Sequence, residues 1–297
     1  MGGPSLANIA ESVLLPASLA AIMFAIGLSL KPRAFQTLTI DRRPVLAGLI
    51  GIVLLVPFAG VAVAWAFAPT PAAAVGLVLL ATCPVGILAN VATDLCRGST
   101  ALSIALTVII SALYVIAAPL VAHYAVELAF GEARRIQAPT GDLFVKVALI
   151  TVGPVSAGLA TARVLPALAA RSAAPIKTLG SIVLVLVFAW VAGRQRTVLA
   201  DSMGLIVGLV LLVNLINAAI GVLVARAAKL RGPDATAVIC SHLVRQEGTA
   251  IFIAVSVLGA PDIAVPLIIN TFVGLAVCAV LFIPLRLRRP MAEEAHS

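Results

Sequence analysis

At 297 residues, 62% of them hydrophobic and only 11% charged, the chain lies far outside the soluble range of about 45–50% apolar and about 25% charged residues. A mean hydropathy of +1.17 excludes an ordinary water-soluble domain. The net charge of +8 does not point to nucleic acid, because the basic residues sit in short stretches between apolar runs. The composition is that of an all-α polytopic membrane protein whose first partner is the lipid bilayer.

Apolar runs of transmembrane length predict about nine helices, near residues 8–30, 44–67, 72–96, 99–129, 142–168, 175–193, 200–229, 234–259 and 262–288. The first run has no basic leader and continues into Lys31-Pro32-Arg33, so it reads as a span and not as a cleavable signal. Later boundaries are expected at Asp41-Arg42-Arg43-Pro44, Pro69-Thr70-Pro71, Arg97-Gly98-Ser99, 131–141, 171–175, 194–196, 231–234 and 259–262. Fourteen of the twenty Lys and Arg residues fall at or near the boundaries that follow odd-numbered spans or in the C-terminal tail, and four at those that follow even-numbered ones. The positive-inside rule then places the N-terminus outside the cell (inner) membrane and the C-terminus in the cytoplasm.

Two runs carry defects near their middles. The third contains Cys83-Pro84-Val85-Gly86, then Asn90, Thr93 and Asp94. Pro84 removes a backbone donor and pushes Cys83 out of the helical region, and Gly86 is expected to let the chain turn further. The eighth contains His242, Arg245, Gln246, Glu247 and Gly248. An ionisable side chain at the centre of a bilayer costs about 2.5–3.5 kcal/mol on insertion scales, so it normally faces a partner or a water-filled path. Paired interrupted helices in separate halves of a chain point to the binding site of a secondary transporter. Asn90, Ser103 and Thr107 add neutral oxygens of the kind a hard cation prefers. Ser103 and Thr107, four apart, share one helix face.

The remaining polar residues read as structural. Asp94 is expected to pair locally with Arg97; Glu11, His123, Glu127 and Lys146 sit near span ends and snorkel; Trp65 and Trp190 anchor at the interface. Cys83, Cys96, Cys240 and Cys278 lie in apolar runs at no metal-like spacing and read as packing residues.

These residues resemble the bile acid:sodium symporter family. The stretch from Ile22 to Pro32 is similar to the family's second helix, which implies that the first helix of ten-helix bacterial members is lacking. The strongest similarity runs through Cys83-Pro84-Val85-Gly86, Asn90-Val91, Thr93, Leu95, Arg97-Gly98, Ala101-Leu102-Ser103 and Thr107. The resemblance implies an inverted-repeat transporter: a core domain at 72–129 and 200–259 holding two crossed broken helices, and a panel domain at 8–67, 142–193 and 262–288. It further implies sodium-driven uptake of a small organic anion by alternating access. Asn90, Ser103 and Thr107 match the family's first sodium site.

The chain departs from the family where the coupling ions bind. Aligned from Gly232-Pro233-Asp234, His242 stands at the family's sodium-binding Glu, Gln246 matches its Gln, and Glu247 replaces the following Asn. Ala89 replaces the first-site Ser, and the Gln of the family's third helix falls in the aliphatic run 51–56. Three readings stay open: Glu247 serves sodium from a shifted position; protons replace sodium at His242 and Glu247; or Arg245 takes the cation's place in a uniporter or exchanger. Arg245 is also a natural grip for a substrate carboxylate or sulfate. Tentative sodium ligands are therefore Asn90, Ser103, Thr107, His242, Gln246 and Glu247, and substrate contacts Arg245, Gln246, Asn90, Pro84 and Gly86. No cofactor is expected beyond sodium as a coupling ion. The alternative is an ion-coupled exporter of an oxyanion such as arsenite. An enzyme is not expected, since His242 and Glu247 lie on different helix faces with no nucleophile nearby. No motif specifies the substrate or the oligomeric state.

Overall fold

The computed structural model describes residues 13–29, 42–130, 140–194 and 196–287. Helix α1 runs from Leu15 to Ser29 and α2 from Arg43 to Phe67. Helix α2 opens with Pro44 in its first turn, where the missing N–H costs nothing. It widens into a π-helical turn at Ile50–Leu55, whose closing bond runs from the Val56 N–H to the Gly51 carbonyl. The next residue, Pro57, has no N–H to give the ladder. Helices α3 (Pro71–Thr82) and α4 (Ile87–Leu95) share the third apolar run, and α5 spans Thr100–Phe130. The N-terminus of α3 is capped by the Thr70 hydroxyl, which accepts from the Ala73 N–H at 3.2 Å.

Helices α6 (Thr140–Val164), α7 (Pro166–Arg194) and α8 (Arg196–Ala227) follow. The boundary expected at 171–175 is not there. Helix α7 continues through Pro175, and the chain interrupts instead at Leu165, just ahead of Pro166. Pro166 occupies a first helical position, whereas Pro175 is tolerated inside a helix, as prolines in membrane helices are. The eighth run divides into α9 (Gly232–Leu243) and α10 (Gly248–Phe252), the latter extended by a π-helical turn at Ile253–Val257. A single 3-10 turn, Pro261–Ala264, leads into α11 (Val265–Leu287). All described elements are helical.

Helix α1 packs against α6 and α7. It meets α6 backbone to backbone: a Cβ on Gly158 would lie 2.2 Å from the Phe24 carbonyl oxygen, and one on Gly27 2.2 Å from that of Val155. Small residues at such a seam are how membrane helices approach closely without a hydrophobic drive between them. The second and ninth runs, grouped with the panel in the sequence reading, pack elsewhere: α2 lies on α3 and α8, and α11 on α8 and α3. Around α3, α10 and α11 the side chains of Leu77, Leu79, Leu80, Ile251, Ile253 and Leu267 are completely or almost completely buried.

The outer faces stay apolar, with Phe58, Leu149, Leu179 and Leu186 strongly exposed, as lipid-facing positions are. Two helices, Arg43–Phe67 and Gly204–Ala227, are each long and apolar enough to cross a membrane by length and composition. Trp65 and Trp190 are exposed. His123 Nε2 lies 3.7 Å from Glu127 Oε2. The Asp94 carboxylate is exposed and accepts from Thr100 Oγ1 at 3.4 Å. Cys83, Cys96 and Cys240 are buried thiols. Glu11 and the side chains of Lys146 and Cys278 lie outside the described residues.

The seam gives a direct test. Gly158→Ala should lower stability by about 1–3 kcal/mol through overpacking, read as a lower melting temperature in detergent. Gly153→Ala, on the same helix with nothing within 4 Å of its new methyl, should leave it unchanged or raise it. Equal melting of the two variants contradicts the close α1–α6 crossing.

Candidate functional site

The two interrupted runs break at Cys83–Gly86 and Val244–Glu247 and face each other there. Cys83, before the proline, leaves the helical region at φ −52°, ψ 144°, as the steric demand of Pro84 requires. Val244 is likewise extended, at φ −101°, ψ 116°. The two extended pieces run antiparallel. The Gly86 N–H donates to the Val244 carbonyl at 2.9 Å and the Gln246 N–H to the Pro84 carbonyl at 2.9 Å, flanking the opposed pair Val85 and Arg245. The backbone polarity exposed by each break is thus satisfied by the other.

Gly86 has a role different from the one its sequence suggests. Its backbone, φ −75° and ψ 152°, is open to any residue. A Cβ there, however, would lie 2.7 Å from the Arg245 carbonyl oxygen. Close approach, and not turning, demands glycine.

Below the break, Asn90 on α4 meets Ser103 and Thr107 on α5. Ser103 Oγ donates to Asn90 Oδ1 at 2.7 Å, and Thr107 Oγ1 lies 3.2 Å from the same oxygen while also reaching the Ser103 carbonyl at 2.9 Å. Thr93 Oγ1, which donates to the Ala89 carbonyl at 2.7 Å, lies 3.2 Å from Ser103 Oγ. Ser103, Thr107 and Thr93 are buried and Asn90 half-buried. Residues of two successive helices therefore converge into one neutral, oxygen-rich cluster.

The charged residues occupy the other side of the break. Arg245, 5% exposed, donates from Nη1 to the Cys83 carbonyl at 3.1 Å. That carbonyl closes the C-terminus of α3, where the helix dipole favours a cation. Glu247 stands just ahead of α10, its carboxylate turned to Asn270 of α11, whose Nδ2 donates to Oε1. Asn270 Oδ1 in turn accepts from Asn214 Nδ2 of α8 at 2.7 Å, and Asn214 also donates to the Val210 carbonyl at 2.8 Å. Gln246 contributes its backbone N–H to the bridge and is half-buried. Pro84 and Gly86 are buried in the bridge itself.

His242 is fully buried on α9, with Nδ1 2.7 Å from the Val238 carbonyl oxygen. That contact makes Nδ1 a donor, so that Nε2 is the acceptor whenever the ring is neutral. The ring is packed between two glycines: a Cβ on Gly51 would lie 2.1 Å from Nε2, and one on Gly221 3.0 Å from the His242 Cβ. Gly51 belongs to the π-helical turn of α2. No hydrogen bond joins His242 to the Asn90 cluster among the described residues. The structure thus assembles Asn90, Ser103 and Thr107 in one place, Arg245, Pro84 and Gly86 in a second, and His242 in a third.

The sequence over 16–202 matches the profile of the sodium bile acid symporter family. The chain belongs to that family. The matched residues include the first break and the whole Asn90 cluster, while Arg245, Glu247 and His242 lie beyond them. The chain is also similar to the uncharacterized sodium-dependent transporter YocS of Bacillus subtilis (strain 168), 29% identical over 217 residues. That similarity covers 73% of this chain and 66% of the relative, just under two thirds of its length.

Asn214, Asn270 and Tyr114 were not singled out from the sequence. The two asparagines carried a usable signal, as carboxamides inside apolar runs. Tyr114 carried none, since a lone aromatic in an apolar run reads as core.

The contact between His242 and the π-helical turn can be tested by a double-mutant cycle. Gly51→Ala alone should destabilise by about 1–3 kcal/mol. In a His242→Ala background the same change should cost far less, giving a coupling of about 0.5–3 kcal/mol. Additive effects on chemical denaturation would show that the ring does not lie against Gly51.

Proposed function

We propose that the protein is a sodium-coupled secondary-active transporter of a small organic anion, embedded by nine spans with the N-terminus outside. The observation that carries this reading is the mutual pairing of two broken helices at Val85 and Arg245, with oxygen ligands on one side and a buried cation on the other. Family membership and the printed description of the Bacillus relative as sodium-dependent support it. Asn90 Oδ1, Ser103 Oγ and Thr107 Oγ1 supply hard-cation ligands. Arg245, with Gln246, Asn90 and the backbone at Pro84 and Gly86, forms the substrate side.

Alternating access would come from rocking of α1, α6 and α7 against the remaining helices, two units of an inverted-repeat fold. The contact between α10 and α1, where Gly248 faces Leu19 and Leu184, supports a moving seam next to the crossover. Occupation of the cation cluster on α4 and α5 would then bias the pairing of α4 with α9 and change the substrate side. Of the three coupling readings, sodium is favoured over a His242 proton carrier because the imidazole is enclosed between Gly51 and Gly221.

Binding of radiolabelled sodium to the purified protein tests the cation cluster without a known substrate. Unlabelled sodium should displace the label and choline should not. Asn90→Ala should weaken binding by at least about tenfold, the loss of one ligand to a charged group. Uptake of a candidate anion into proteoliposomes should fall to background when choline replaces sodium. Glu247→Gln should uncouple uptake from the sodium gradient in a protein that still folds. Choline-insensitive uptake that follows a pH gradient would replace the sodium reading with a proton one.

A further inference from the structure

Among the described residues, five buried side-chain atoms lack a hydrogen-bond partner: Tyr114 Oη, His123 Nδ1, His242 Nε2, Arg245 Nε and Arg245 Nη2. Three of the five belong to two side chains that border Cys83. Arg245 reaches the Cys83 carbonyl through Nη1, and the Tyr114 hydroxyl neighbours the Cys83 thiol without meeting hydrogen-bond geometry. Both side chains are 5% exposed. Buried polar groups are nearly always satisfied, and an exception calls for a reason.

The identity of the unused atoms matters. With Nη1 engaged, the guanidinium keeps its Nε–H and Nη2–H edge, two parallel donors spaced to receive both oxygens of one carboxylate. Tyr114 Oη offers a third donor from another helix, α5. Glu247 is near enough to feel Arg245 electrostatically, yet its carboxylate is turned to Asn270. The edge is therefore not spent on the neighbouring acid. Cys83 carries no competing charge in its thiol form, and the Glu247 carboxylate accepts its hydrogen bond from Asn270 and not from these donors.

We infer that the Nε–Nη2 edge of Arg245 and the hydroxyl of Tyr114 form a carboxylate subsite against Cys83, with Tyr114 a specificity-determining residue. The subsite binds a carboxylate-bearing ligand side-on to Arg245. Tyr114 discriminates against groups with no oxygen placed to accept from it. That this ligand is cargo rests on the transport reading above. The existence of the subsite does not.

The test is thermal stabilisation of the purified protein by sodium acetate, against sodium chloride and acetamide at matched sodium concentration. Acetate should raise the melting temperature beyond chloride, and acetamide should not. Tyr114→Phe should weaken the apparent acetate affinity by about tenfold, one hydrogen bond to a charged group. Arg245→Lys, which keeps the charge but loses the fork, should remove most of the acetate-specific shift. Arg245→Met should remove all of it; if that variant does not fold, the Phe and Lys variants carry the test. Acetate and acetamide acting alike, no acetate-specific shift, or an unchanged affinity in Tyr114→Phe would overturn the subsite. Acetate binding with these dependences but no sodium-driven uptake would leave the subsite and remove the carrier. Sodium-driven anion uptake insensitive to Tyr114→Phe and Arg245→Lys would leave the carrier and remove the subsite.

Discussion

Two backbone hydrogen bonds hold the functional region in place: Gly86 N–H to Val244 carbonyl and Gln246 N–H to Pro84 carbonyl. A helix that stops inside an apolar run strands amides and carbonyls where water cannot reach them, at a cost of several kcal/mol for each group. Neither break is affordable alone. Opposed antiparallel, each supplies what the other lacks, and the crossing is fixed to a single register by the opposed pair Val85 and Arg245. The requirement extends to composition, since any side chain larger than hydrogen at Gly86 would press on the Arg245 carbonyl.

From that crossing the chemistry divides. On the α4–α5 side three neutral oxygens gather around Asn90, with no charge of their own to repel or neutralise a cation. On the other side the guanidinium of Arg245 caps the carbonyl end of α3, and Glu247 is drawn away into a carboxamide chain through Asn270 and Asn214. Arg245 and Glu247, two residues apart, are thus directed to different helices and make their hydrogen bonds with different partners. That separation lets one small region present an anion-binding edge and an acid at once.

Much of this was legible in the chain. Apart from the sixth, expected from 175 where α7 begins at Pro166, the apolar runs match helical segments to within a few residues over the described parts, and Pro84 marked its break because its steric effect on Cys83 is local. The 171–175 boundary was misplaced for the complementary reason: Pro175 looks like punctuation, but a membrane helix accommodates it, and the true interruption rests on Pro166 at a helix start. Contacts between distant residues were not legible. The fit of His242 against Gly51 and Gly221 and the approach of Tyr114 to Cys83 depend on how helices cross, which no local pattern encodes. The grouping of α2 and α11 with α3 and α8 is of the same kind, since one apolar run resembles another until its neighbours are known.

The central claim is that the two breaks oppose each other at Val85 and Arg245. In an antiparallel pair flanked by its hydrogen bonds, opposed Cα atoms lie about 4.5 Å apart with side chains on the same face, close enough for a disulfide. The decisive measurement is cross-linking in membrane vesicles of Val85→Cys with Arg245→Cys, in a background with Cys83, Cys96, Cys240 and Cys278 replaced and a protease site placed between them. Mild oxidation should keep the two fragments joined until a reductant is added, while Val85→Cys paired with Val152→Cys, on α6, should not cross-link. Fragments that separate despite oxidation would contradict the crossing.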